Sequence, residues 1–394
     1  MPPWPSIIES MEIPRRRAIS PRDDRETVYV DKYIGCLLGG LVGDCMGAPF
    51  DSNFDHPEGD DSFDKDVHTF LHNIRTNSVL PGPSAGRNHR ASKGCPRGQY
   101  CYTDVTATTM ELAKSLLCKG RFDARDVATR LTEQYFGNEQ LDKEYGDAVR
   151  DIFRKWKQNR YQDIYGPANE QFGGMGSFGS GAAMRAAPVA ILYKDDLDRM
   201  IETTILQAKM THAHPTGICA AVLFNLAVWH ALHAEPDVPL NGTTLLDTLI
   251  GKMEAIEEEL DGFRPLTYKL HAARKLLLDS DPLNPSTIPK VLGNDMTAQG
   301  SVVTSIMCYI LGEQFGKDIQ VIKKTDNAFV RTLELALLCG GDADTLAAMA
   351  CSLSGAKRGS KAIPAVILRQ CQSAGTITKI AEAFAADSNF KLDL

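Results

Sequence analysis

The sequence predicts an all-α protein folded as a single compact multi-helix bundle, and three observations lead there. Apolar residues recur at helical spacing, as in Met110, Ala113 and Leu117, or in Leu346, Met349, Ala350 and Leu353. The stretch from Ile218 to Leu232 is apolar on most sides, which suits a helix inside a larger bundle. Period-two alternation is missing, apart from a possible short strand near Val28 to Val30. Many helices packed around a shared core are the natural result.

Taken in order, residues 1 to 28 are rich in Pro, Arg and Asp without sustained periodicity and read as a disordered tail. Arg15, Arg16 and Arg17 within it fit either a solvated tail or part of a nuclear-import signal. Helical signals dominate from Tyr33 onward. Between about residues 52 and 100, Gly, Pro and Ser are too frequent for a continuous helix, so a long loop is expected, in which HTFLHNI (68–74) supplies a turn or two. No internal repeat or linker separates the helical blocks, so residues 29 to 394 are read as one domain, expected to be monomeric.

The chain has 394 residues, and 43 Lys and Arg against 50 Asp and Glu leave a net charge of -7. Non-specific nucleic-acid binding needs Lys and Arg to neutralise phosphates, so this balance argues against it. No uninterrupted apolar run approaches the roughly 18 residues of a membrane span, and the N-terminal stretch lacks the pattern of a secretory leader. The expected location is therefore cytoplasmic or nuclear, with a mitochondrial one also open. The ten cysteines show no paired zinc spacing and read as reduced core thiols, with Cys95 and Cys101, in the loop, the least certain.

Four segments place acidic, hydroxyl or glycine residues at helix ends: GDCMGAPFD (43–51), YTDVT (102–106), GGMGSFGSGAAMRAAP (173–188) and GGDADT (340–345). Asp342, Asp344 and Thr345 could cap a helix, or present oxygen ligands to a hard cation such as Mg²⁺ or Mn²⁺. Thr103 and Asp104 carry the same two readings, and as ligands they would complete a site for two metals. The glycines around Ser177 leave backbone N–H groups for an anion, unless the loop is merely a linker. Phe172 and Phe178 flank that loop and could sandwich a flat ring. His212 in THAHPTG fits a structural histidine, a helix cap or a ligand contact, and Asn294 in LGND is similarly ambiguous.

In this order the four segments resemble the ADP-ribosylglycohydrolases related to the dinitrogenase-reductase-activating glycohydrolase, above all the branch that removes ADP-ribose from serine. The resemblance spans roughly residues 33 to 385. It implies a compact all-α domain with a binuclear Mg²⁺ centre at the base of a cleft, held by Thr103, Asp104, Asp342, Asp344 and Thr345. It assigns Gly176, Ser177 and Gly179 to a diphosphate cradle and Phe172 and Phe178 to adenine stacking. His212 and Asn294 fall near the ribose and the cleft, and Asp51 and Asp342 become the catalytic carboxylates. The implied activity is Mg²⁺-dependent hydrolysis of the bond joining ADP-ribose to protein or to a related conjugate.

Two positions depart from the family pattern. The metal motif normally has two acidic residues after Thr103, and the second is Val105 here. An isopropyl group cannot ligate a cation, so one metal is expected to be held more weakly. Asp51 stands where relatives have Glu, one methylene longer, on the loop that gates the cleft. The alternatives are a degenerate protein that binds ADP-ribose without cleaving it, and a scaffold retaining only the fold.

Overall fold

A computed structural model describes residues 24–51, 69–70, 72–74, 98–138, 144–260, 262–314 and 325–386. Among these, twelve helices reach ten residues or more: α1 Asp24–Gly47, α2 Asp104–Lys119, α3 Ala124–Gly137, α4 Asp147–Gln158, α5 Leu197–Lys209, α6 Pro215–His233, α7 Gly242–Leu260, α8 Pro265–Leu278, α9 Ala298–Glu313, α10 Ala328–Cys339, α11 Ala343–Arg358 and α12 Ala374–Ala383. The described residues form no sheet, and extended pairing is confined to isolated bridges between Tyr100 and Cys371 and between Gly179 and Thr297. The expected all-α class is the observed one.

A stripe of glycines sets the centre of the bundle. Gly35, Gly39, Gly43 and Gly47 recur every four residues on α1 and so share one face. They meet Gly355, Cys351, Ala347 and Ala343 of α11 in reverse order, which makes the two helices antiparallel. A Cβ on Gly43 would fall on the carbonyl group of Ala347, far inside contact distance, and Gly39 and Gly47 are as tightly placed against Cys351 and Ala343. Only backbone without side chains allows so close an approach. The consequence is positional: the end of α1, its 3-10 turn Ala48–Phe50 and Asp51 are delivered to the start of α11, where Asp342 and Asp344 stand.

Around this pair one contiguous apolar cluster runs from Tyr33 to Phe384. The segments Thr27–Phe50 and Pro215–His233 are long and apolar enough to cross a membrane by length and composition, yet 78% of each window is buried within the fold. That is the behaviour of core helices. At the C-terminal end of α6, the Lys32 ammonium donates to the carbonyls of Leu232 (2.8 Å) and Ala234 (2.5 Å), where the helix dipole favours a cation.

Several expectations are corrected. Val28 to Val30 lie inside α1, and residues 24–28, expected in the tail, are helical as well. The β-branched bias of this segment is a weak preference, overridden once Tyr33 is buried against the core. Within HTFLHNI, residues 69–70 and 72–74 are helical, and buried Phe70 packs edge-on against Phe50 and Tyr100, with ring centroids 5.1 and 5.7 Å away. The rest of the expected loop from 52 to 97, Arg15 to Arg17 and Cys95 lie outside the described residues. Seven free thiols are buried as expected, whereas Cys118, in the last turn of α2, is exposed, and Cys101 is disulfide-bonded rather than reduced.

Candidate active site

A cavity of about 720 Å³ opens where the end of α1, the start of α2, the glycine-rich segment and the start of α11 converge. This is the usual size of a small-molecule site. Asp51, Asp104, Asp342, Asp344 and Thr345 all line it.

The acidic cluster is built by the turn between α10 and α11. Gly340 and Gly341 take positive φ and stop α10, and the Asp342 N–H then donates to the Asn294 carbonyl (2.8 Å). Asp342 occupies the N-cap position of α11, but its side chain makes no cap hydrogen bond, so simple capping does not explain it. Instead, carboxylate oxygens of Asp51, Asp342 and Asp344 lie within 4.8 Å of one another. Burial pushes the Asp342 carboxyl well above the usual carboxylate range, and the charges of Asp344 and Asp51 push it further. Asp104 is raised in the same way by burial, then by Asp344 and Asp44. Like charges gathered out of water repel, and a hard divalent cation, which prefers carboxylate and hydroxyl oxygens, offsets that cost. The donor set fits such an ion.

Of the two readings open for Thr103, the structure shows the cap and not the ligand. Its hydroxyl donates to Asp44 Oδ1 (2.9 Å) and accepts the Val105 N–H (3.3 Å), so it serves as the N-cap of α2, and it does not line the cavity. The residue that explains this, Asp44, had no role in the sequence reading. Fully buried, it accepts from the N–H groups of Thr103 (3.1 Å) and Thr106 (2.9 Å) and so clamps the start of α2 to α1. An acidic residue inside the apolar run of α1 was the available signal. Val105 is buried and also stands off the cavity, bordering with Leu37 and Thr106 a void of about 20 Å³.

The glycine-rich segment lines the same cavity, and its Ser180 hydroxyl donates to Asp342 Oδ2 (3.4 Å). Gly176 has φ 75, and a Cβ there would collide with the backbone of Ala213 and His214. Its N–H donates to the Gln171 carbonyl (3.0 Å), while that of Gly179 donates to Ser177 Oγ (3.2 Å). The expectation of free glycine amides is therefore corrected at both positions: the loop closes on itself. The Ser177 hydroxyl accepts one bond and keeps its own proton to donate. Phe172 and Phe178 are 51% and 46% exposed at the rim, with centroids 6.4 Å apart and planes tilted by 43°. Phe172 holds a left-handed backbone (φ 50, ψ 43), an uncommon conformation for a non-glycine residue that is often retained at ligand sites. Two contacts of about 3.5 Å put the rings on either side of a flat ligand about 7 Å apart, so a sandwich needs only a small opening and realignment.

The two histidines of THAHPTG divide the roles left open. His214 is the N-cap of α6, its Nδ1 accepting from Thr216 N (3.1 Å), and His212 lines the cavity. Asn294 does not line it. Its amide donates to the Cys339 carbonyl (2.8 Å), bracing the turn that presents Asp342.

Fold and cavity together define a class: an all-helical protein that gathers carboxylates from distant parts of its chain into one ligand-sized cleft. The ADP-ribosylglycohydrolase family profile matches residues 25–391. Relatives include ADP-ribosylhydrolase ARH3 of Bos taurus, 32% identical over 87% of this chain and 89% of its own length, and that of Xenopus tropicalis, 33% identical over 85% and 89%. A solved structure titled ADP-ribosylglycohydrolase-related protein complex shares the fold, with TM-score 0.58 and 20% identity over 91% of this chain and 98% of its own. The chain belongs to the ADP-ribosylglycohydrolase family.

Proposed function

We propose that the protein is a Mg²⁺-dependent glycohydrolase that releases ADP-ribose from modified protein, with serine as the linkage. The observation that carries this reading is the convergence of Asp51, Asp342 and Asp344 in a nucleotide-sized cavity, in a chain 32% identical to an ADP-ribosylhydrolase. Asp51, Asp104, Asp342, Asp344 and Thr345 would hold Mg²⁺, or Mn²⁺, with Thr103 able to join if it leaves its capping role. Bound cations supply Lewis-acid polarisation and a template for the ribose hydroxyls.

The chain's own residues account for the remaining steps. Phe172 and Phe178 hold the adenine ring, and Ser177 and His212 donate to the diphosphate, so remote binding energy orients the anomeric carbon. Hydrolysis breaks the bond between that carbon and the serine oxygen and forms one to water. Asp51 or Asp342 takes one proton from the attacking water and passes it to the departing serine oxygen, so one water is consumed and serine leaves as its hydroxyl. The protein acts as a monomer in the cytoplasm or nucleus on this reading.

The test is release of free ADP-ribose from an ADP-ribosyl-serine peptide in Mg²⁺, abolished by a chelator and by Asp344→Ala. Wild-type protein at high concentration that releases none overturns the reading. Val105 favours one alternative, a protein that binds ADP-ribose without turnover. Calorimetric binding that depends on Phe172, in the absence of release, supports that alternative instead.

A further inference from the structure

Arg185 follows the glycine-rich segment and is buried, and among the described residues no carboxylate is in salt-bridge contact with it. Its Nε donates to Gln207 Oε1 (3.0 Å), Nη1 to the Gly181 carbonyl (3.1 Å), and Nη2 to the Gln207 carbonyl (3.0 Å) and Thr211 Oγ1 (2.7 Å). Thr211 Oγ1 in turn lies 2.8 Å from His212 Nδ1. A guanidinium only donates, so the Thr211 oxygen accepts from Arg185 and its own proton needs another acceptor. Among the described residues the hydroxyl has these two partners, so that proton goes to Nδ1 of His212. A neutral imidazole that accepts at Nδ1 carries its hydrogen on Nε2. Nε2 faces the glycine loop, at 3.5 Å from where a Cβ on Gly179 would sit and 3.2 Å from one on Gly181.

We propose that Arg185 and Thr211 are positioning residues that lock His212 as the neutral Nε2–H tautomer, making it a fixed hydrogen-bond donor to a phosphate oxygen in the cavity. Such a donor would supplement the Ser177 hydroxyl, because the amides of Gly176 and Gly179 are spent within the loop. Burial, with a contribution from Arg185, also holds the His212 ring down to about 3, so it stays neutral across the working pH range. The phosphate part rests on the ADP-ribose reading; the tautomer does not.

The experiment is ¹⁵N NMR of histidine-labelled full-length protein without ligand, the His212 signals being assigned by their loss in His212→Asn. At neutral pH the expected pattern is a pyridine-like Nδ1 and a pyrrole-like Nε2. Thr211→Val should give a mixture of tautomers, and Thr211→Ser should restore the single form. Wild-type protein protonated at Nδ1, or a tautomer unchanged in Thr211→Val, overturns the lock. Calorimetry with ADP-ribose then tests the donor's use: Thr211→Val should weaken binding about tenfold, the effect of one hydrogen bond, and Thr211→Ser should recover it. Equal affinities for wild type and Thr211→Val overturn the phosphate contact alone, and absence of wild-type affinity overturns the ADP-ribose reading; the lock is decided by the NMR arm.

Discussion

Asp44 shows how much of the site depends on single buried residues. Burial and the nearby Asp344 push its carboxyl up to about 7, and Asp104 and Asp342 are raised as well. A carboxyl raised in the folded state holds its proton more tightly there than in the unfolded chain. Its stabilisation is therefore present at low pH and lost as pH climbs from about 4 through the folded value. Metal-free protein should lose roughly 5 °C of Tm between about pH 5 and pH 7.5, and Mg²⁺ should recover it by replacing the protons. Thermal unfolding in chelator and in Mg²⁺ measures this, and a flat profile in chelator would contradict it. Because Val105 stands off the cavity, Val105→Asp should lower Tm in chelator by adding another buried carboxylate, and in Mg²⁺ should raise peptide hydrolysis, at least about tenfold, only if the start of α2 turns the new group toward Asp104. No gain in Mg²⁺ would mean a centre organised without position 105. Asp342, Asp344 and Thr345 were legible because a glycine stop followed by acidic residues is a local pattern. Asp44 was not, since an Asp within an apolar run reveals its partners only when α2 is packed against α1. Capping was one of the two readings open for Thr103, and only the bond from its hydroxyl to Asp44, distant in sequence, decides for it; the bracing role of Asn294 was hidden because Cys339 is equally remote.

At the scale of elements, α1 and α11 act as the frame on which the carboxylates are mounted. Gly40 and Gly43 give an internal comparison on one helix. A Cβ on Gly40 would find its nearest neighbours at 3.9 Å, whereas one on Gly43 would overlap the backbone of Ala347. Gly40→Ala should be neutral or stabilise by up to about 1 kcal/mol through helix propensity. Gly43→Ala should cost about 1–3 kcal/mol, the usual penalty of overpacking. Urea unfolding of the two variants settles the comparison, and equal stabilities would show that the helices are not in register. The spacing of Gly35, Gly39, Gly43 and Gly47 is visible in the sequence, yet its partner stripe on α11 starts 308 positions beyond Gly35, at Ala343. Helical periodicity marked both helices, but it carries no information about which helix packs on which. The start of α1 was misjudged because residues 24–30 combine charge with β-branched side chains, while Tyr29 and Tyr33, packed on the core, anchor the helix that continues back through them.

For the whole molecule, a net charge of -7 and an anionic ligand are compatible only if local groups set the potential inside the cavity. The carboxylates that would hold a cation come from the 3-10 turn after α1 and from the starts of α2 and α11, while the aromatic pair comes from the glycine-rich segment. Because these parts meet through one apolar cluster, ligands that bind here should stabilise the fold as a unit. At a hundredfold excess over Kd, either Mg²⁺ or ADP-ribose should add about 2.7 kcal/mol, a rise of several degrees in Tm. The variants should separate the two contributions. Phe172→Ala removes an exposed ring and no carboxylate, so it should lose the ADP-ribose shift and keep the Mg²⁺ shift. Gly43→Ala pries apart the helices that deliver Asp51 to Asp344, so it should weaken the Mg²⁺ shift first and the ADP-ribose shift only as far as ligand binding needs the metal. Differential scanning calorimetry of wild type and both variants reads all of these shifts. An undiminished ADP-ribose shift in Phe172→Ala would remove the aromatic pair from the ligand site, and an undiminished Mg²⁺ shift in Gly43→Ala would place the cation away from the junction of α1 and α11.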